Sequence, residues 1–98
     1  MNAPDIVNDR TTEEFFTSPE LSGKLRFAVI DRSGDTKYMW DSTQPAEVEV
    51  ARAAFDKLRA EGYDAFRVTD RKGEAGEMVH TFDPSHERLL FTPRMEGG

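Results

Sequence analysis

One amphipathic stretch constrains this chain more than any other feature. Between Pro45 and Gly62 the apolar residues Val48, Ala51, Ala54, Phe55 and Leu58 recur at steps of three and four. That spacing puts them on one stripe of an α-helix. Pro45 suits the first turn, Thr43 or Gln44 can cap it, and Glu47 and Glu49 favour the positive end of the helix dipole. Lys57 and Arg59 suit the other end, and Gly62 supplies the stop. A helix of about 16 residues is about 24 Å long, enough to cross a small sheet diagonally. A single apolar stripe needs a partner surface, and the rest of the chain offers strands.

KLRFAVI (24–30) alternates, with Leu25, Phe27 and Val29 on one face and Arg26 and Ala28 on the other. DRSGD (31–35) is turn chemistry, with Gly34 free to take positive φ, and TKYMW (36–40) is β-branched and aromatic. The pair reads as an antiparallel hairpin. On its second strand Tyr38 and Trp40 share one parity and Met39 has the other. If either side faces solvent, it marks a binding patch. After the helix, YDAFRV (63–68) alternates, DRKGEAG (70–76) is a polar loop, EMVHTF (77–82) is a fourth strand, DPSHE (83–87) turns, and RLLFT (88–92) is a fifth. The expected class is α+β: a mixed sheet of about five strands with one main helix, in the order ββαβββ, plus an N-terminal extension.

Residues 1–23 differ in being polar and aperiodic. They read as a flexible arm ahead of a domain at 24–93 and a tail at 94–98. Within the arm, TTEEFF places Thr11 three residues before Glu14, the spacing of a capping box. Phe15, Phe16 and Leu21 would then either dock a short helix on the chain's own domain or anchor it to a partner.

Composition narrows function by exclusion. In 98 residues there is no cysteine, which removes disulfides, thiolate catalysis and Cys-type zinc sites. A net charge of −6 disfavours nucleic acid and anionic membranes as partners. A small secreted domain often needs disulfides, so their absence points to a cytoplasmic setting; MNAPDIVNDR shows no signal pattern and no apolar run approaches the ~18 residues that cross a bilayer. The two histidines, His80 and His86, lack further ligands and read as surface residues, so no metal or other cofactor is implied. Asp31, Asp35 and Asp41 do not have the spacing of a calcium loop and read as turn caps. No nucleophile or phosphate-loop signature appears, and no enzyme is expected.

What remains is RLLFTPRMEGG. Pro93 cannot donate to a strand ladder, so pairing should weaken there. Gly97 and Gly98 contribute no side chain to a core and have maximal backbone freedom. A backbone without Cβ atoms can thread a narrow channel. Together with the element order, this ending resembles the β-grasp proteins of the ubiquitin-like family, which include the sulfur carriers of thiamin and molybdopterin synthesis. The resemblance covers about residues 24–98. It implies that Gly98 is activated as an acyl-adenylate and passed on to a nucleophile, with Gly97 and Gly98 as the reactive tail. It also implies that Arg94 and Met95 help an activating enzyme recognise that tail, with a conjugation target and a peptidase as further protein partners. The run GDTKYMWD…FDP…LLFTPRMEGG is also similar to small bacterial or phage proteins. A structural module of a virion or other assembly, lacing its arm onto neighbours, is the alternative.

Overall fold

The computed structural model describes residues 5–6, 11–31, 34–68 and 75–94. Its strands are β1 (Asp5–Ile6), β2 (Lys24–Asp31), β3 (Gly34–Asp41), β4 (Tyr63–Val68), β5 (Ala75–Val79) and β6 (Arg88–Pro93). Its helices are α1 (Thr12–Thr17) and α2 (Pro45–Ala60), with a 3-10 turn at Pro19–Leu21. The strands form one mixed sheet in the order β1-β3-β2-β6-β4-β5. Among the described residues only β2 and β6 pair in parallel, and they do so at its centre, with Phe27 opposite Leu89 and Val29 opposite Phe91. The architecture is α+β with one main helix on a mixed sheet, as the element order implies, and it is compatible with a β-grasp.

Helix α2 runs from Pro45 to Ala60, 16 residues as expected, with Gln44 at the N-cap but making no side-chain capping bond, and Gly62 takes φ +99 just beyond it. Ala51 and Phe55 are buried under the helix, and Val48, Ala54 and Leu58 flank them. The stripe packs on Leu25, Phe27 and Val29 of β2, Trp40 of β3, Ala65 of β4, and Leu89 and Phe91 of β6. Phe55 meets Phe91 edge-on at 5.7 Å, and Phe27 meets Trp40 at 4.7 Å.

The opposite face of the sheet is covered too. Residues 25–29 of β2 are all buried, where alternation alone would leave Arg26 and Ala28 facing water. The cover is the segment read from sequence as an arm. Thr11 and Glu14 make the capping box in both directions, each bond at 3.1 Å. Phe15, Phe16 and Leu21 are then buried against Ala28 and Val68, with Met39 and Leu90 beside them. Of the two roles open to that short helix, docking on its own domain is the one the structure displays. A six-residue helix cannot hold itself together, so this burial is what orders it.

Arg26 has a structural reason to be 5% exposed. Its Nη1 donates to the carbonyls of Phe15 and Phe16 at 3.3 and 3.1 Å, and Arg88 Nη1 donates to Phe16 at 3.3 Å. Two guanidinium groups thus satisfy carbonyls that the end of α1 leaves open, at the negative end of its dipole.

Several strand limits differ from the sequence reading: β2 runs on to Asp31 and β3 starts at Gly34, inside the stretch expected as a turn at 31–35, and β6 runs on to Pro93. The fourth long strand runs Ala75–Val79, not 77–82, because Phe82 leaves the sheet to lie against Phe27 and Phe55 at 6.5 and 5.9 Å. Arg52 stacks over the same ring at 5.1 Å. Alternation could not distinguish a core residue on a strand from one delivered by a loop. The two-residue strand β1, paired with Tyr38 and Met39, has no periodic signal at that length.

Candidate functional site: the root of the C-terminal tail

Strand β6 lies between β2 and β4, so the chain leaves the sheet from its middle. Pro93 is the last paired residue, opposite Tyr63. The next amide, Arg94, donates to the Gly62 carbonyl at 2.8 Å. Gly62 is available there because its left-handed backbone turns the chain from α2 into β4. The tail therefore starts against the C-terminal end of the main helix.

One carboxylate oxygen organises this root. Asp64 Oδ1 accepts from Arg94 Nε at 3.1 Å and from Arg59 Nη1 at 3.0 Å. The same Arg59 nitrogen also donates to the Tyr63 carbonyl at 3.2 Å. Asp64 is largely shielded and Arg94 about half exposed, so Asp64 ties a helix residue and a tail residue to one strand. Charge-assisted bonds of this kind are among the stronger polar contacts in proteins. The half-buried Tyr63 beside them has its phenol pushed above its ordinary pKa by desolvation, then by the Asp31 and Glu61 carboxylates.

A groove opens next to this root, between the second half of α2 and β3. It holds about 220 Å³ and is lined by Tyr38, Trp40, Ala54, Lys57, Leu58 and Glu61. The Tyr38 and Trp40 rings stack at 6.1 Å and an interplanar angle of 20°. Trp40 is 1% exposed, so the shared parity of these two aromatics marks the core and not a solvent-facing patch. Its buried indole Nε1 has no hydrogen-bond partner among the described residues, a costly arrangement for an N–H group.

Of the residues singled out by sequence, Arg94 stands at this root, bonded to its own domain. Met95, Gly97 and Gly98 lie outside the described residues. Asp64 and Arg59 escaped the sequence reading. A charged residue alternating on a strand and a basic residue ending a helix are both ordinary, and only the fold brings them to the tail. The turn role assigned to Asp41 holds, since its Oδ1 accepts from Thr43 N and Oγ1 at 2.9 and 2.7 Å. Asp35 does something else: it accepts from Thr12 Oγ1 at 2.7 Å and Lys37 Nζ at 3.2 Å, tying α1 to β3. His80 is exposed, and His86 Nε2 lies 3.9 Å from Asp83. Among the described residues no group of His, Cys, Asp and Glu could hold a metal, and no helix is long and apolar enough to cross a membrane.

No family model matches the chain, and neither a curated protein nor a solved structure matches it.

Proposed function

We propose that this chain is a β-grasp protein modifier or carrier of the ubiquitin-like kind, used through Gly98. The observation that carries the reading is the sheet order. One helix lies across a mixed sheet whose first and last long strands, β2 and β6, sit side by side and parallel at its centre. That arrangement delivers Pro93 and Arg94 to the sheet's end, with Gly97 and Gly98 three and four residues beyond Arg94. Four residues span at most ~14 Å when extended. The glycines can therefore enter a narrow channel while the folded body stays outside it.

In this reading the Gly98 carboxylate, exposed as such or after a peptidase removes any residues beyond it, attacks the α-phosphorus of ATP. Pyrophosphate leaves and an acyl-adenylate forms. A thiol or amine then displaces AMP. The chain's own part is to present the tail, and the bonds from Arg94 to Gly62 and Asp64 fix where it starts. Arg94 thus anchors the tail as well as offering its remaining donors to an activating enzyme. The structural-module alternative relied on an arm that anchors to neighbours, but Phe15, Phe16 and Leu21 are spent inside this domain.

The test compares tagged full-length chain with a form lacking Gly97 and Gly98, both expressed in the native cells. Higher-mass adducts formed by the first and absent from the second support the reading. Identical patterns refute it.

A further inference from the structure

A second cleft lies at the other end of β6, away from the tail. It holds about 350 Å³ and is lined by Arg67, Val68, Ser85, His86, Glu87 and Arg88. Arg67 and Arg88 are half-buried. Among the described residues the Arg67 side chain makes no hydrogen bond or ion pair. Arg88 spends one nitrogen on the Phe16 carbonyl, out of the five N–H donors of a guanidinium. Arg26 stands behind them, opposite Arg88 in the parallel ladder.

Like charges opposed on neighbouring strands repel. This pair is worse placed than most, because Arg26 is 5% exposed and water cannot screen it well. Among the described residues, Arg26 Nε and the His86 Nδ1 of the cleft wall are both buried without a partner. The strain also registers in the Arg26 pKa, which is lowered by burial, then by Arg88, with Glu87 opposing. Such a concentration of cations is unexpected on a chain with 19 acidic and 13 basic residues.

Arg67 and Arg88 line the cleft with one carboxylate, Glu87, while Arg26 lies opposite Arg88 and the Asp83 carboxylate lies 3.9 Å from His86 Nε2. The balance stays positive, so the cleft favours an anion, and the two guanidinium forks that line it favour one with several oxygens. We propose that this cleft binds a phosphate monoester, with Arg67 and Arg88 donating to its oxygens, His86 beside them, and Arg26 contributing charge from behind. Guanidinium forks match phosphate oxygens in geometry as well as charge. The site is independent of the tail and of its use.

The experiment is an amide NMR titration of the ¹⁵N-labelled full chain with inorganic phosphate, beside sodium chloride at matched ionic strength. Saturable shifts at Arg67–Val68 and Ser85–Arg88, absent with chloride, are expected. Arg67→Gln should weaken binding about tenfold or more, and because Arg67 has no structural partner among the described residues its melting curve in phosphate-free buffer should match the parent. Repeating the titration with O-phosphoserine and with a short phosphoserine peptide identifies the source, free metabolite or modified protein, by which binds tighter. The proposal is overturned by non-saturable shifts, by equal shifts with chloride, or by unchanged phosphate binding in Arg67→Gln.

Discussion

Replacing Phe15 with alanine tests whether the N-terminal segment is part of the fold. Phe15 is fully buried, touches Phe16 with ring centroids 5.4 Å apart, and shares its cluster with Leu21, Ala28 and Val68. Truncating a buried phenyl ring costs about 3–5 kcal/mol. The lower end applies here, because α1 is only six residues long and can settle toward the cavity, so about 3 kcal/mol is expected. A domain of this size has a total stability of about 5–15 kcal/mol, so the loss is a large share. The assay is urea unfolding followed by the fluorescence of Trp40, the only tryptophan, which is buried on the opposite face of the sheet. The midpoint should fall while the slope stays unchanged, the mark of lost stability without lost cooperativity. A loss below about 1 kcal/mol would show that the cluster does not hold the fold together, and would return residues 11–23 to the status of a peripheral arm.

Phe55→Ala should cost nearer the upper end of the same ~3–5 kcal/mol range, because the 16-residue helix above it cannot collapse into the space; urea melts check it. Asp64→Asn should weaken the hold on Arg59 and Arg94, read as faster hydrogen exchange at the Arg94 amide with a stability loss within about 1 kcal/mol. Removing Gly97 and Gly98 should leave the urea midpoint unchanged, since they add no side chain to the core. Asp35 is held below its ordinary pKa mainly by the Thr12 and Lys37 hydrogen bonds, Asp41 by Thr43, and Asp83 by Ser85. A depressed folded-state value gives stability that is present above the unfolded value of about 3.9 and lost as pH falls through the folded one. Acid titration of the melting temperature should therefore steepen below about pH 4, and Asp41→Asn should flatten part of that slope.

The helix was legible because its limits rest on local chemistry: Pro45 in the first turn, a repeated apolar spacing, and Gly62 beyond the end. The capping box of α1 was legible for the same reason. What that helix covers was not, because burial of Phe15 and Phe16 depends on a sheet built partly from the far end of the chain, where Leu90 lies. Phe82 misled because its alternation suited a strand while packing on Phe27 and Phe55 drew it into a loop. At the tail root, Arg94 stood out only by its closeness to the glycines. Its partner Asp64 is 30 residues earlier and is joined to it solely by the pairing of β4 with β6. The cleft around Arg67 and Arg88 is likewise a product of register, since nothing local links a strand's last residues to a turn near residue 86.

If Gly98 serves as an acyl donor, its covalent products can be found by tryptic mass spectrometry of proteins from the native cells. Trypsin cuts after Arg94, so a conjugated target keeps Met95-Glu96-Gly97-Gly98 as a branch on the accepting amine. Such branched peptides are expected on lysines of other proteins, and should vanish when Gly97 and Gly98 are deleted. Recovery of the chain solely as free protein, with every copy of Gly98 uncoupled and no branched peptide at matched depth, would rule out the role of acyl donor.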